Sequence, residues 1–193
     1  MSCPHLPPHL DAPLARYLDL LDRWNQTHAL TALPRAARAE ELLLDAAALL
    51  PWLEALAAGN RVADFGTGMG IPAVVIALAR PDLEVVAVDA SAKKLAFVRQ
   101  ACLELPVPNL VAVHGRLEAL APLAADLGVA KALGSLAQLV GWWQRHGRPG
   151  SRFLALKGPD WQREPLPAGW VATAHPYILP TRGRRAVVEL TQR

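Results

Sequence analysis

The sequence has 193 residues, of which 52% are hydrophobic and 19% are charged, and its formal net charge is +3 at pH 7. This length fits one domain with a buried core, and no segment approaches the roughly 20 apolar residues that cross a bilayer. The N-terminus lacks the charged and apolar regions of a signal peptide. Cys3 and Cys102 are too few for a disulfide framework or a zinc site. We therefore expect a cytoplasmic protein with no metal and no membrane partner.

Two helices are predicted before the first strand. After an irregular, proline-rich arm over residues 1–13, apolar residues recur at helical spacing from Ala12 to about Asn25. A second helical pattern covers roughly Arg38 to Leu56. We expect residues 1–58 to form a helical extension packed on a core over residues 59–193.

From residue 61 onwards, short apolar runs alternate with helical patterns. The predicted elements are strand 61–65, helix 71–80, strand 84–88, helix 92–104, strand 109–113, a short helix near 117–124, a weak strand around 127–130, helix 134–146, strand 151–156, and a hairpin of 169–178 with 185–190. This order predicts a doubly wound, Rossmann-like α/β fold with a mostly parallel seven-stranded sheet and an antiparallel edge hairpin. Its ligand should lie at the carboxyl ends of the first two strands.

The turn after the first predicted strand is rich in glycine. Residues 64–72 read Asp-Phe-Gly-Thr-Gly-Met-Gly-Ile-Pro. Glycines permit positive φ and let a ligand lie against bare main chain. Asp89 follows about 20 residues later, at the end of the second predicted strand, where a carboxylate can accept hydrogen bonds from both hydroxyls of a ribose. The turn and Asp89 together predict a nucleoside-type cofactor.

The glycine-rich turn is compatible with more than one kind of cofactor. Residues 68–73 also satisfy the loose GxGxxA form of the dinucleotide fingerprint. Asp64, however, lies two residues before the first glycine, where its charge would suit a cation such as S-adenosylmethionine better than a pyrophosphate. The chain also has no room for a separate catalytic domain. S-adenosylmethionine is therefore the favoured ligand, and NAD-type binding and a structural turn are the alternatives.

Several further motifs occur in one order along the chain. They are Trp24-Asn25 followed by Leu30-Thr31, the turn from Asp64 to Pro72, Asp89-Ala90-Ser91-Ala92-Lys93-Lys94, Phe97-Val98, Gly115-Arg116-Leu117-Glu118, Phe153-Leu154-Ala155-Leu156-Lys157-Gly158, and Arg184-Arg185. With these motifs the sequence resembles the ribosomal RNA small subunit methyltransferase G family, also called glucose-inhibited division protein B. The resemblance runs from about residue 14 to the C-terminus.

The resemblance implies a class I methyltransferase that moves a methyl group from S-adenosylmethionine to N7 of a guanine in 16S rRNA. Its partner would be that rRNA or the small ribosomal subunit, and no obligate protein partner is evident, so we expect a monomer. The expected donor-binding residues are Asp64, Gly66, Gly68, Ile71, Asp89, Leu117, Glu118 and Lys131. The expected RNA-binding residues are Lys93, Lys94, Lys157, Arg184 and Arg185. Lys131, at the tip of the fourth strand, is the candidate for contact with the donor or the target base.

Three places depart from the family pattern. Ala29 stands where the family has Asn, Lys131 stands where it has Arg, and residues 41–46 keep only Asp45 of an R-H-x-x-D-S motif. The alternatives are therefore a degenerate member that binds donor or RNA without methylating rRNA, and a methyltransferase for a small molecule or protein.

The expected chemistry demands few catalytic groups. N7 of guanine has an exposed lone pair and no proton to lose, so the protein need only align N7 with the methyl group and exclude water. We therefore interpret the histidines, among them His146, as surface or packing residues. For Trp142 and Trp143 we favour packing, and base stacking by one of them is the alternative.

Overall fold

Seven strands form one mixed sheet in the computed structural model, which describes residues 1–193. The strands are β1 (Arg61–Phe65), β2 (Glu84–Asp89), β3 (Leu110–His114), β4 (Ala125–Lys131), β5 (Gly147–Lys157), β6 (Trp170–Leu179) and β7 (Gly183–Gln192). Their order across the sheet is β3-β2-β1-β4-β5-β7-β6. Strands β1 to β5 run parallel, and β7 and β6 continue the sheet as an antiparallel hairpin. The predicted doubly wound sheet with its edge hairpin is confirmed.

Helices cover both faces of this sheet. They are α1 (Asp11–His28), α2 (Arg35–Arg38), α3 (Asp45–Ala47), α4 (Leu50–Leu53), α5 (Ala73–Ala79), α6 (Ala92–Glu104) and α7 (Leu136–His146), with a π-helix, Ala39–Leu44, between α2 and α3. The prediction of one continuous helix from Arg38 to Leu56 is wrong. Pro51 lies in the first turn of α4 and cannot continue a helical hydrogen-bond ladder from the preceding residues, so a turn separates α3 from α4.

The segment between β3 and β4 also differs from its prediction. Residues 117–119 form a turn and no helix follows, so the short helix predicted near 117–124 is wrong. Pro122 interrupts the segment, and Ala124 adopts a φ of 50°, a left-handed conformation that does not occur in a right-handed helix.

The weakly predicted fourth strand proves to be central, since β4 lies between β1 and β5. The lack of a side chain at Gly128 is required by its neighbours. A Cβ added at Gly128 would come within 2.2 Å of the Phe153 ring and 2.7 Å of the Trp143 ring. The aromatic side chains of β5 and α7 thus fill the space that larger β4 residues would occupy elsewhere.

The hydrophobic core has two parts, one on each face of the sheet. Along β1, Val62 packs on the face covered by α1, α5 and α6, whereas Ala63 and Phe65 pack on the face covered by α7. The strands are therefore apolar on both sides, as expected for parallel strands covered by helices. The buried residues of α1 belong to the first part of the core, so much of the predicted extension over residues 1–58 packs on the sheet. No helix is long and apolar enough to span a membrane.

The carboxyl ends of β1, β2, β3 and β4 meet at one edge of the sheet. Phe65 pairs with Val88 on one side and with Ala130 on the other, and Asp89 pairs with His114. Because these strands are parallel, the segments that follow them all leave the sheet at this edge. The glycine-rich turn and Asp89 are therefore neighbours in space.

Candidate functional site

The glycine-rich turn after β1 depends on left-handed backbone conformations. Gly66 and Gly68 adopt φ angles of 65° and 60°, which glycine reaches without steric cost. A Cβ added at Gly66 would lie 2.7 Å from the Leu133 side chain, whereas one at Gly68 would meet nothing within 4 Å. The turn therefore packs tightly at Gly66 and presents open main chain at Gly68.

Asp89 fastens this turn to the end of β2. Its Oδ2 accepts a hydrogen bond from the Gly68 backbone N–H at 2.9 Å, and its Oδ1 accepts one from the Ser91 backbone N–H at 2.8 Å. A carboxylate has about four lone-pair sites, so each oxygen can accept a second hydrogen bond. The orientation fits the ribose-binding role expected from the sequence.

Asp64 is buried beneath the same turn. Its Oδ2 accepts hydrogen bonds from the Thr67 hydroxyl at 2.6 Å and from the Ala73 N–H at 3.1 Å, whereas its Oδ1 is buried without a partner. Burial, with a smaller contribution from the charge of Asp89, raises the pKa of the Asp64 carboxyl from 3.8 to about 7. An unpaired carboxylate oxygen at this place would favour a cation over an anion.

A cleft of about 350 Å³ opens beside the turn, at the carboxyl ends of the strands. Four of the expected donor-binding residues are in its wall, namely Gly66, Asp89, Leu117 and Glu118. The other four lie outside the wall: Asp64 and Ile71 are buried, Gly68 donates its backbone N–H to Asp89, and Lys131 is part of an ion pair described below. The cleft is where the predicted topology places a ligand.

Trp142 is a cleft residue that the sequence interpretation missed. Its indole Nε1–H donates a hydrogen bond of 2.8 Å to Glu118 Oε1, and both side chains line the cleft. The pKa of Glu118 is lowered by its own backbone N–H and then by Trp142, so Glu118 is ionised at neutral pH. Its second carboxylate oxygen can accept a hydrogen bond from a ligand.

The direction in which each face of α7 points explains why Trp143 is buried and Trp142 lines the cleft. A capping box between Ser135 and Gln138 fixes the start of the helix. Counted from there, Leu136, Leu139, Val140 and Trp143 form the buried stripe at helical spacing. Trp143 packs edge-on against Phe65 and Phe153, and Trp142 falls off the stripe and faces the cleft. This periodicity was visible in the sequence and could have separated the two residues.

His146 supports the cleft wall through a hydrogen bond to Leu117. The side chain is fully buried, its Nε2 donates a hydrogen bond to the Leu117 carbonyl at 2.8 Å, and burial lowers its pKa. The neighbouring Arg145 donates two hydrogen bonds to the Leu120 carbonyl. These contacts hold the irregular segment after β3 in place, in line with the packing role that we expected of the histidines.

A comparison with known families gives a single clear result. The model of the family described as rRNA small subunit methyltransferase G (GidB) matches residues 11–169. The chain belongs to the rRNA small subunit methyltransferase G family. Two relatives with that name are 41% identical over 184 residues in Xanthomonas axonopodis pv. citri, and 39% identical over 163 residues in Bordetella avium. These alignments cover 92% and 81% of this chain, and 84% and 73% of the respective relatives.

Solved structures of more distant proteins share the fold. TrmN from Thermus thermophilus superposes with a TM-score of 0.61 at 23% identity, covering 85% of this chain and 55% of TrmN. A SAM-dependent methyltransferase from Aquifex aeolicus superposes with a TM-score of 0.60 at 15% identity, covering 88% and 97% of the two chains. At these identities the likeness concerns the fold alone, and it agrees with the class I methyltransferase architecture expected for a member of the GidB family.

One GidB motif proves to be a structural clamp. The Asn25 side chain accepts a hydrogen bond from the Thr31 N–H at 2.8 Å and donates one to the Thr31 carbonyl at 3.1 Å. Between them, Ala29 ends α1 with a φ of 46°. Asn adopts this left-handed conformation more readily than Ala, which is a physical reason for the Asn that the family has there.

The expected RNA-binding lysines after β2 face different surroundings. Lys93 is exposed, and its ammonium donates a hydrogen bond of 2.7 Å to the His28 carbonyl at the end of α1. Lys94 is half-buried and lines the cleft beside Asp89. Of this pair, only Lys93 lies fully on the outer surface.

Lys157 does not lie on the surface. Its side chain is buried, and its ammonium donates hydrogen bonds to the Gly134 carbonyl at 2.8 Å and to both carboxylate oxygens of Glu164 at 2.9 and 2.8 Å. An ammonium has three protons, so this set satisfies it. The expected RNA contact is therefore corrected to a structural role, in which Lys157 joins the loop after β4 to the segment after β5.

Lys131 and Arg185 converge on Asp45, outside the cleft wall. The Lys131 ammonium lies 2.8 Å from Asp45 Oδ2, and an Arg185 guanidinium nitrogen lies 3.3 Å from the same oxygen. After Lys131, the chain turns through Ala132 at a φ of 52°, and it is Ala132 and Leu133 that enter the cleft wall. The expected contact of Lys131 with the donor is thus replaced by an ion pair in this structure. Arg184, next to Arg185, is exposed.

Proposed function

We propose that the protein transfers a methyl group from S-adenosylmethionine to N7 of a guanine in 16S rRNA. The observation that carries the proposal is the cleft formed by Gly66 and Asp89 at the strand ends of a chain that belongs to the rRNA small subunit methyltransferase G family. The relatives in Xanthomonas and Bordetella are named as ribosomal RNA small subunit methyltransferases, and this supports rRNA as the substrate class.

The residues of the cleft fit the methyl donor. The free lone pairs of Asp89 would accept hydrogen bonds from the ribose hydroxyls, and the free oxygen of Glu118 would accept one from the adenine amino group. Gly66, in the cleft wall, carries no side chain and lets a ligand approach the main chain of the turn. The carboxyl of Asp64, whose pKa is about 7, adds negative charge beneath the turn once it ionises. The cleft wall carries two carboxylates, Asp89 and Glu118, and two cations, Lys94 and Arg116, so it suits a ligand that bears both charges, as S-adenosylmethionine does.

The reaction requires the protein to align N7 with the methyl group, and it requires no proton transfer. Bound S-adenosylmethionine supplies a methyl group on a sulfonium, which an N7 lone pair can attack in line. Because N7 carries no proton, no side chain has to act as a general base. The cleft offers the carboxylates of Asp89 and Glu118 and the cations of Lys94 and Arg116, which can hold ligands in place while the surrounding wall excludes water.

The exposed cations are the proposed contacts to the RNA backbone. Lys93 and Arg184 are exposed, and Lys94 opens to the cleft. Such residues position an RNA through its phosphates without reading its sequence. We further propose that the substrate is 16S rRNA, either free or within the small ribosomal subunit, that the protein works as a monomer, and that it works in the cytoplasm.

A methyl-transfer assay tests this function. The protein is incubated with tritiated S-adenosylmethionine and, separately, with unmethylated small ribosomal subunits, free 16S rRNA and a fraction of small metabolites. We expect label in rRNA, and cleavage of the labelled RNA at 7-methylguanosine after borohydride reduction. Label only in the metabolite fraction would favour a small-molecule methyltransferase. Donor binding without any transfer would favour a degenerate member.

A further inference from the structure

Asp45 is a buried carboxylate on which three strands converge. It lies in α3 and is 1% exposed. Its Oδ2 contacts the cations of Lys131, at the end of β4, and Arg185, in β7. Its Oδ1 accepts a hydrogen bond from the Tyr177 hydroxyl of β6. One side chain of the N-terminal helices thus connects the central strand to the edge hairpin.

The charges in this cluster do not balance. One carboxylate faces two cations, and Nε of Arg185 is buried without a hydrogen-bond partner. Burial, reinforced by the charge of Asp45, raises the pKa of Tyr177, so the phenol stays neutral and donates its proton. The cluster keeps a surplus of one positive charge, and the side chains of Lys131 and Arg185 are 16% and 23% exposed. Part of each cation therefore reaches the surface.

Removing the carboxylate would leave two cations facing each other. An unpaired buried charge is strongly unfavourable, so Lys131 and Arg185 would have to swing apart towards water. The two residues have separate surroundings otherwise, because they belong to strands that are not neighbours in the sheet. Asp45 is therefore what fixes both cations relative to one another.

Both cations lie next to surfaces that the proposed reaction uses. Lys131 directly precedes Ala132 and Leu133 of the cleft wall, and Arg185 directly follows the exposed Arg184. The hairpin tip is docked onto the same helices, since Glu40 accepts hydrogen bonds from Thr181. The cluster thus joins the cleft to the basic edge of the hairpin.

We propose that Asp45 is a positioning residue, which holds Lys131 and Arg185 at the carboxyl-end edge of the sheet, outside the cleft wall, so that their exposed parts meet phosphates of the RNA substrate. The proposal rests on the proposed rRNA substrate. In this arrangement Asp45 contacts neither donor nor RNA, and it acts through the two cations. An ion pair that only stabilised the fold would leave RNA affinity unchanged in every variant that still folds.

The test is Asp45→Asn, measured in the full chain against Asp22→Asn. Asp22 is the control because it also pairs with two cations, Arg35 and Arg38, and its side chain is only 14% exposed. We measure KM and kcat with small ribosomal subunits, direct binding of 16S rRNA over a range of salt concentrations, and donor affinity. Asp45→Asn should raise KM about tenfold and lower the salt slope by up to about two units, one for each displaced cation. Donor affinity should stay within about twofold of wild type, because the donor-facing carboxylates are untouched.

A second variant keeps the proposal testable if Asp45→Asn does not fold. Tyr177→Phe removes one hydrogen bond to Asp45 and leaves all charges in place, so a smaller rise in KM, about threefold, is expected. A folded Asp45→Asn protein with wild-type KM and salt slope would overturn the proposal, as would unchanged values in Tyr177→Phe if Asp45→Asn is unfolded. A wild-type protein that neither binds nor methylates 16S rRNA would instead overturn the proposed function.

Discussion

Replacing Asp64 by Asn should alter the pH dependence of the free energy of unfolding. Asp64 is fully buried, and burial raises the pKa of its carboxyl from 3.8 to about 7. The folded protein therefore holds this proton more tightly than the unfolded chain does. The stability that the group contributes is complete below about pH 4 and is lost as the pH rises through 7. Asn can accept the same hydrogen bonds from Thr67 and Ala73, and it never ionises.

The size of the effect follows from the two pKa values. Between pH 4 and pH 7 the wild-type protein should lose about 1.4 kcal/mol of stability per pH unit relative to the variant. From pH 5 to pH 8 the difference between the two proteins should thus change by roughly 3 kcal/mol in favour of Asn. Donor affinity should fall in the same variant above about pH 7, where the wild-type carboxyl is ionised and Asn carries no charge.

Urea denaturation followed by tryptophan fluorescence at pH 5, 6, 7 and 8 measures this difference. Asp82→Asn is the control, because Asp82 is exposed and the hydrogen bond from Arg80 lowers its pKa, so its contribution is constant over this range. A stability difference between wild type and Asp64→Asn that stays constant from pH 5 to pH 8 would refute the reasoning, since the carboxyl would then have an ordinary pKa.

Four further outcomes are expected. Asp89→Ala should weaken donor binding by about 1–3 kcal/mol in calorimetry, because the turn loses its fastening and the ribose its acceptor; unchanged affinity would rule out this donor geometry. Trp142→Phe should weaken donor binding about fivefold through the lost indole hydrogen bond and abolish the donor-induced change in tryptophan fluorescence, whereas a persisting change would place the reporter elsewhere. Ala29→Gly should stabilise the protein by about 0.5–1 kcal/mol in urea denaturation, because glycine accepts the left-handed conformation; a loss of stability would contradict this. Lys93→Ala with Lys94→Ala should flatten the salt dependence of RNA binding by up to about two units, and an unchanged slope would mean that these lysines are only solvated.

The sequence predicted what depends on local patterns. The glycine turn, its distance to Asp89 and the alternation of strands and helices are set by residues close together in the chain, and the structure confirms the fold that they predict. The errors in secondary structure have local causes as well. Pro51 and Pro122 both interrupt helical patterns that apolar spacing alone made look continuous.

The cations could not be placed from the sequence in the same way. Asp45 meets Lys131 and Arg185 across 86 and 140 residues, and Lys157 meets a glutamate in a loop whose course has no periodic signal. A basic residue in a motif looks the same whether it faces water or a buried carboxylate. Gly128 of β4 was similarly uninformative, because the rings of Phe153 and Trp143, which belong to other elements, leave no room for a side chain there.

The contacts of Asp89 have a consequence for the energetics of ligand entry. Its carboxylate is held by the Gly68 and Ser91 amides through contacts within the chain itself, so the side chain and the turn lose conformational freedom on folding. A ligand that enters the cleft then meets a preorganised acceptor and does not have to order one. Association should accordingly proceed without a slow rearrangement of the turn. Differences in affinity between ligands should then come mainly from their dissociation rate constants.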